Sequence, residues 1–252
     1  MVVFTQAQLD VWLATFLLPF FRILALFSAA PILSHRSFSV RGRVALAALV
    51  AMVVAPVVNV PGDINLTTSA AFGVIAQQVL VGLAVGFAAR LVFAVLEIAG
   101  EFIGLQMGFS FAGFFDPNGR SETAIGTWLQ TMGLMLFVTT NAHLIVLDVL
   151  IDTFTLFPIS TEPFRALAGL RLDLMGAEVF RLALMLALPF TVLMLFVNLV
   201  LGFVSRVAPQ LSIFAVGFPI TLTAGLSVLT ISTIAMLTPF ETSLKTFLAP
   251  FR

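Results

Sequence analysis

The chain has 252 residues, of which 60% are hydrophobic and only 10% are charged, and its mean hydropathy is +1.15. This composition is far more apolar than that of soluble domains and indicates a membrane-associated protein. Twelve basic and twelve acidic residues cancel, which excludes the strongly basic surface typical of nucleic-acid binding, and the absence of cysteine excludes disulfides and thiol chemistry.

Apolar segments separated by charges and prolines predict about six helices. In chain order they cover 11–33, 44–60, 70–96, 123–150, 179–204 and 211–238. The stretches 64–89 and 207–240 contain no charged residue, so each is long enough to cross a hydrocarbon core that needs roughly 20 residues. Proline interrupts several segments, and it bends or ends helices because it removes a backbone donor. We therefore expect an all-α, membrane-associated bundle of broken helices.

Charged side chains inside these segments are candidates for structural contacts or for a path through the membrane. Arg22 lies within the first segment. Arg90, Glu97 and Glu101 fall within about 40° of one another on a continuous helix that turns by about 100° per residue. Two interpretations of this polar stripe remain open: ion pairs and hydrogen bonds to a partner helix, or a path for protons or ions.

The run GEFIGLQMGFSFAGFFDPNG at 100–119 combines two patterns. Gly100, Gly104 and Gly108 recur every fourth residue, which predicts a helix face that another backbone can approach closely. From Phe109 onward the phenylalanines lose helical spacing, and the closing DPNG predicts a turn. Such a segment at membrane depth needs protein or a cavity around it, because lipid cannot satisfy its backbone. Sealing a cavity and simple packing are both open as roles for the rings.

The remaining polar residues do not form a recognisable catalytic or metal site. His143 and Asp148 are five residues apart and fall on different faces of a helix, which argues against a dyad. Asp148 and Asp152 share a face and are expected to mark the polar end of their helix before Pro158. The sequence carries no nucleotide-binding loop, zinc-ligand spacing or hydrolase elbow. We expect no catalytic residue, metal or cofactor, and the chain is not expected to be an enzyme.

Four blocks of sequence resemble the FliR family of flagellar export-gate subunits and its counterparts in type III secretion. The blocks are Arg22 with API at 30–32, GEFIGLQMGFSFAGFFDP at 100–117, Asn141-Ala142-His143, and RVAPQLSIFAVGFP at 206–219. Members of this family more often have glycine where this chain has Ala142. The run IFAVGFPITL at 213–222 is closer to the flagellar branch of the family, since the injectisome branch tends to place a lysine near Thr221.

The resemblance implies a pore-forming hetero-oligomer of helical hairpins, shared with FliP and FliQ. Its expected place is the bacterial inner membrane at the flagellar basal body, with part of the complex raised toward the periplasm. The single subunit would divide into a FliP-like part at 1–175, a FliQ-like hairpin at 176–240 and a short tail at 241–252. FlhB and FlhA are implied as further partners, membrane lipid as surroundings, and unfolded flagellar proteins as transient substrates.

Within a Phe-rich pore loop at 107–116, the resemblance assigns Phe111 and Phe114 to a plug, with Met107 and Phe109 in support. Large apolar side chains can seal a pore by excluding water. The polar candidates for structural or inter-subunit contacts are Arg22, Arg90, Glu97, Glu101, His143 and Arg206. Two alternatives stay open: a scaffold that nucleates FliP and FliQ assembly without touching substrate, and a secondary transporter with discontinuous helices.

Overall fold

The computed structural model describes residues 6–31, 38–58, 60, 70–109, 123–160, 172–208, 217–232 and 236–252. Within these ranges the chain forms helices and no strand, which confirms the all-α prediction for them. The α-helices, numbered in chain order, are α1 (Gln6–Ala29), α2 (Val40–Val54), α3 (Ala70–Gln106), α4 (Ala124–Thr139), α5 (Ala142–Leu156), α6 (Leu172–Val207), α7 (Phe218–Ser232) and α8 (Leu237–Leu248). Short 3-10 turns follow α2 and α8 at Ala55–Val57 and Ala249–Phe251.

Two helices are longer than the sequence predicts. The segment predicted at 70–96 continues to Gln106, and the one predicted at 179–204 extends at both ends into α6. The predicted boundaries were placed at charged residues, but a charged side chain does not end a helix when it can lie on the helix surface. Proline does not end α1 or α6 either, since Pro19 lies inside α1 and Pro189 inside α6.

The segment predicted as one helix at 123–150 is instead divided into α4 and α5. The break lies at Thr140 and Asn141, where Asn141 has a φ of 54°. Asparagine tolerates this left-handed conformation better than most residues. The carbonyl of Asn141 then accepts the N–H of Leu144 at 2.9 Å, which begins α5.

Contacts divide the chain into two compact units, and the first comprises Met1–Leu91, Asn141–Leu172 and Lys245–Arg252. Here α1 packs on α2, and the early part of α3 packs on α1. Gly86 makes that approach possible, because a Cβ atom there would lie 2.6 Å from the Cβ of Ala29. One cluster of the apolar core contains Ala14, Leu18, Val54, Val58, Val74 and Ile159.

The second unit comprises Val92–Thr140 and Asp173–Leu244. Its α4 packs along the late part of α3, with the rings of Phe93 and Phe137 5.7 Å apart between centroids. Gly133 of α4 lies directly beside the side chain of Leu96. Helix α7 meets the end of α3, and that contact belongs to the candidate site described below.

Several helices are long and apolar enough to cross a membrane. Within the described ranges four windows qualify by length and composition: Trp12–Ala29, Val40–Val57, Ala71–Gln106 and Leu174–Val207. The number rises to six if α4 with α5, and α7 with the run Leu237–Phe251, each form one broken span. The chain is thus a membrane-associated helical protein.

Candidate functional site

The phenylalanine-rich segment, defined here as 108–122 between Met107 and Thr123, begins where α3 ends. The predicted plug residues Phe111 and Phe114 lie outside the described residues, and so does everything from 110 to 122. Met107 and Phe109 are described: Met107 is completely buried and Phe109 is half-buried. The structure therefore describes the two ends of the segment, one after α3 and one before α4.

Gly108 ends the helical conformation at the first of these ends. Its φ is 88°, and its N–H donates to the carbonyl of Leu105 at 3.1 Å. A side chain is strained in this left-handed region, so glycine suits the point where the chain leaves the helix. The sequence analysis placed Gly108 on the packing face with the two preceding glycines. The structure differs, because α3 ends at Gln106 and Gly108 serves the turn that follows.

Gly100 and Gly104 lie in α3 and contact the start of α4. A Cβ atom on Gly100 would lie 2.5 Å from the Cα of Gly126, and one on Gly104 would lie 3.2 Å from Oγ1 of Thr123. The first contact is between backbones, which only the absence of side chains allows. These two glycines bring the first turn of α4 against the last turns of α3.

Glu101 joins the same two helices through a hydrogen bond. The backbone N–H of Thr123 donates to Oε1 of Glu101 at 2.7 Å. Thr123 is also the N-cap of α4, and its Oγ1 accepts the N–H of Gly126 at 3.1 Å. A carboxylate beside a helix N-terminus is favourable because the unpaired N–H groups there carry partial positive charge. The N-terminus of α4 is therefore held against α3.

Met107 lies at the end of the segment that follows α3, and α7 holds it there. The hydroxyl of Thr221 lies 3.2 Å from the carbonyl oxygen of Met107 and donates to it. A Cβ atom on Gly225 would lie 2.6 Å from three side-chain atoms of Met107, so the methionine fills a notch over this glycine. Met107 was predicted to support the plug, and the structure packs its side chain against α7.

The predicted polar stripe on α3 has two carboxylates that face α4. Besides the bond of Glu101, Nε2 of Gln130 lies 3.5 Å from Oε2 of Glu97. Arg90, on the part of α3 that belongs to the first unit, is exposed. Both carboxylates of the stripe therefore contact α4.

Arg22 forms the centre of a buried polar cluster in the first unit. Its guanidinium donates from Nε to Oε1 of Gln78 at 2.8 Å, from Nη1 to Oγ1 of Thr153 at 3.1 Å, and from Nη2 to the carbonyl of Phe157 at 2.9 Å. The ring of Phe154 lies 3.9 Å from its Cζ atom, which adds a cation–π contact. These contacts join α1, α3 and the end of α5.

Gln77 extends this cluster by one step. It accepts a hydrogen bond from Gln78 at 3.0 Å and donates to the carbonyl of Pro158 at 3.2 Å. Neither glutamine was a candidate from the sequence, nor was Thr153. They are neutral residues in apolar stretches, and the signal that could have found them is the need of a buried arginine for several acceptors.

The other predicted polar residues lie on α5 and α6, and Asp148, expected at the end of its helix, lies in the middle of α5. His143 is exposed in the first turn of α5. Arg206 is exposed in the last turn of α6, where the helix dipole stabilises a positive charge. Asp148 and Asp152 share a face of α5, as predicted, and both contact Arg252, at 3.2 and 4.0 Å. The sequence analysis missed that partner. No group of metal-ligating side chains occurs among the described residues.

Comparison with known proteins gives a consistent result over nearly the whole chain. The model of "Bacterial export proteins, family 1" matches residues 13–247. The chain is 43% identical over 227 residues to "Flagellar biosynthetic protein FliR" of Escherichia coli (strain K12), which covers 89% of this chain and 86% of the relative. It is 42% identical over 235 residues to the protein of the same name from Pectobacterium carotovorum subsp. carotovorum, covering 91% and 88%. The corresponding protein of Caulobacter vibrioides is 34% identical over 218 residues, covering 85% and 86%.

Proposed function

The chain belongs to the bacterial export proteins of family 1, and we propose that it is a subunit of a flagellar protein-export gate. With FliP and FliQ it forms the pore through which unfolded rod, hook and filament proteins leave the cell, and FlhB and FlhA complete the apparatus. The gate lies at the flagellar basal body in the inner membrane, partly raised toward the periplasm. The proposal is supported by relatives named flagellar biosynthetic proteins that align with 89% and 91% of this chain.

The length of α6 supports partners other than lipid. Its apolar window Leu174–Val207 has 34 residues and is mostly exposed in the isolated chain, with Phe196 and Phe203 exposed to 65% and 62%. At about 1.5 Å per residue the window measures about 51 Å, whereas a hydrocarbon core is roughly 30 Å thick. A tilt of about 54° would be needed to bury it in lipid, beyond the usual range of 0 to about 40°. Protein neighbours are the better cover for such a helix.

The phenylalanine-rich segment is the proposed plug of this pore. The observation that carries this proposal is that both ends of the segment are held by contacts within the second unit, through Glu101 and Thr123 on one side and Met107 and Thr221 on the other. An apolar segment with fixed ends can close a pore in a reproducible position. Phe111 and Phe114 would then exclude water and ions when no substrate is present.

Replacing both rings tests the proposed seal. In the double variant Phe111→Ala, Phe114→Ala we expect wild-type amounts of assembled gate and a clear increase in ion leakage, because two large apolar side chains no longer fill the closed pore. The measurement is ion permeability of cells that produce the gate, with complex recovery followed in the same cells. Phe72→Ala is the control, since Phe72 is an exposed phenylalanine near the start of α3. Unchanged permeability in the double variant would refute the seal.

A further inference from the structure

The hydroxyl of Thr221 on α7 faces two carbonyl groups, one on its own helix and one outside it. One acceptor is the carbonyl of Phe218 on its own helix, at 3.0 Å, and the other is the carbonyl of Met107 at 3.2 Å. Thr221 is buried. A threonine that bonds back to its own helix satisfies itself locally, so the second acceptor is a tertiary contact that the helix does not require.

Gly225 lies one turn further along the same face of α7. The Cγ, Sδ and Cε atoms of Met107 would each lie 2.6 Å from a Cβ atom at this position. Residues four apart on a helix are neighbours on its surface. The carbonyl of Met107 and its side chain are thus held by two consecutive turns of one helix, by a hydrogen bond and by packing.

This double contact occurs at the last completely buried residue before the phenylalanine-rich segment. Gly108, which follows, leaves the helical conformation, so the direction in which the chain departs is set by the position of Met107. Most of α3 precedes this point, and α7 lies in the part at 176–240 that we take to be FliQ-like. The contact therefore joins two parts of the chain that are 114 residues apart.

We propose that Thr221 and Gly225 are positioning residues that hold Met107 and thereby set where the phenylalanine-rich segment starts. The inference rests on the proposed function for its consequence, the tightness of the closed gate, but not for its geometry. Any neighbour that displaces α7 would move Met107 with it. The second unit thus contains a direct mechanical link between the C-terminal hairpin region and the base of the plug.

Thr221→Val tests the hydrogen bond while keeping the shape of the side chain. Thr221→Ser keeps the hydroxyl and serves as one control. Thr223→Val is the matched control, because the exposed Thr223 makes the same kind of local bond, to the carbonyl of Pro219 at 2.7 Å, on the same helix. Gly225→Ala tests the notch, and its control is Gly202→Ala, since a Cβ atom on Gly202 would meet no atom of its own chain within 4 Å.

The position of the segment is read from chemical labelling, which does not depend on the plug. The chain has no cysteine, so Phe109→Cys supplies the single thiol of this chain, two residues after Met107, and labelling is read on this chain alone. In the assembled gate, Thr221→Val should change the rate at which this thiol reacts with a maleimide by about fivefold, the effect of one typical hydrogen bond on an opening equilibrium. Gly225→Ala should change the same rate, because its added methyl group displaces the side chain of Met107. The three control variants should leave the rate unchanged.

Leakage measured in parallel separates the inference from the proposed function. Equal labelling rates in Thr221→Val and Thr223→Val would overturn the inference, even if the Phe111 and Phe114 variants leak. A changed labelling rate without any leak in the Phe variants would retain the inference and reject the plug. If Thr221→Val does not assemble, Gly225→Ala with its control decides the question by the same labelling measurement.

Discussion

Arg22 shows how a charged residue can be accommodated inside a helical membrane protein. It is completely buried, and the groups that it contacts in the described part of the chain are neutral. Burying a charge is costly unless hydrogen bonds replace those to water. Arginine can satisfy this condition because its planar guanidinium directs five N–H donors toward separate acceptors. The cluster therefore fixes α1 relative to α3 and the end of α5.

Loss of Arg22 is expected to destabilise the chain strongly. Arg22→Ala leaves Gln78, Thr153 and the Phe157 carbonyl without their donor, and each buried unsatisfied group costs about 1–3 kcal/mol. Arg22→Lys should restore stability only in part. The guanidinium uses Nε, Nη1 and Nη2 to reach three separate acceptors, and one ammonium group cannot reach all three. The measurement is the amount of protein in membranes and the midpoint of thermal unfolding in detergent. Arg206→Ala, at an exposed site, is the control; equal stability of the two alanine variants would contradict this interpretation.

The sequence identified Arg22 as a candidate but not its partners. Gln78 and Thr153 are 56 and 131 positions away along the chain. Both are neutral residues with no spacing pattern that links them to Arg22, and only the packing of three helices brings them together. Glu101 is a similar case, because its acceptor role depends on where α4 begins rather than on any feature of α3.

The contact between α3 and α4 depends on glycine at the scale of whole elements. The four-residue spacing predicted a face for close approach, and Gly100 and Gly104 do contact the first turn of α4. The spacing could not identify the partner helix, because it describes one face of α3 and says nothing about which other segment of the chain packs on that face. Nor could it show that α3 ends before Gly108, since the end of the helix depends on backbone conformation that glycine permits but does not require.

Gly100→Ala should separate α3 from α4. The added methyl group would lie 2.5 Å from the Cα of Gly126, and two backbones cannot relax as a flexible side chain can. We expect a loss of roughly 1–3 kcal/mol in unfolding free energy, as for other overpacked sites. Gly202→Ala makes the same chemical change in α6 where nothing lies within 4 Å. It should be neutral or slightly stabilising, because alanine is the better helix former.

Thermal unfolding of the two glycine variants in detergent gives the comparison. A lower midpoint for Gly100→Ala than for Gly202→Ala is the expected result. If both variants unfold at the wild-type temperature, α3 and α4 do not approach each other as closely as the structure has them, and the base of the phenylalanine-rich segment would need another explanation.

For the whole molecule, composition alone identified a membrane-associated helical protein, and the family motifs identified its relatives. Hydropathy was less successful with the individual helices. It predicted α3 and α6 too short, because charged residues were taken as their ends, and it joined α4 to α5 across Asn141. The physical reason is that hydropathy measures the cost of transfer to lipid, whereas helices of an assembly can present charges and breaks to protein neighbours.

Packing against protein neighbours would also account for the large apolar surface that the isolated chain exposes. Helix α6 is too long for lipid to cover, and a soluble monomer does not expose apolar surface on this scale. A subunit of an export gate would cover such helices with other subunits and reserve a separate apolar segment for the pore. The exported chain should then pass close to that apolar segment and not along helices such as α6 that other subunits cover.

Site-specific photo-crosslinking to an export substrate stalled in the gate tests this arrangement. A photoreactive phenylalanine analogue is placed at Phe111 or Phe114, and at the exposed Phe72 near the start of α3 as the control. We expect crosslinks to the stalled substrate from positions 111 and 114 and none from position 72. Crosslinks from 111 and 114 to neighbouring gate subunits alone, with the substrate never captured, would contradict the proposed pore and indicate a scaffold that assembles the gate without contacting its cargo.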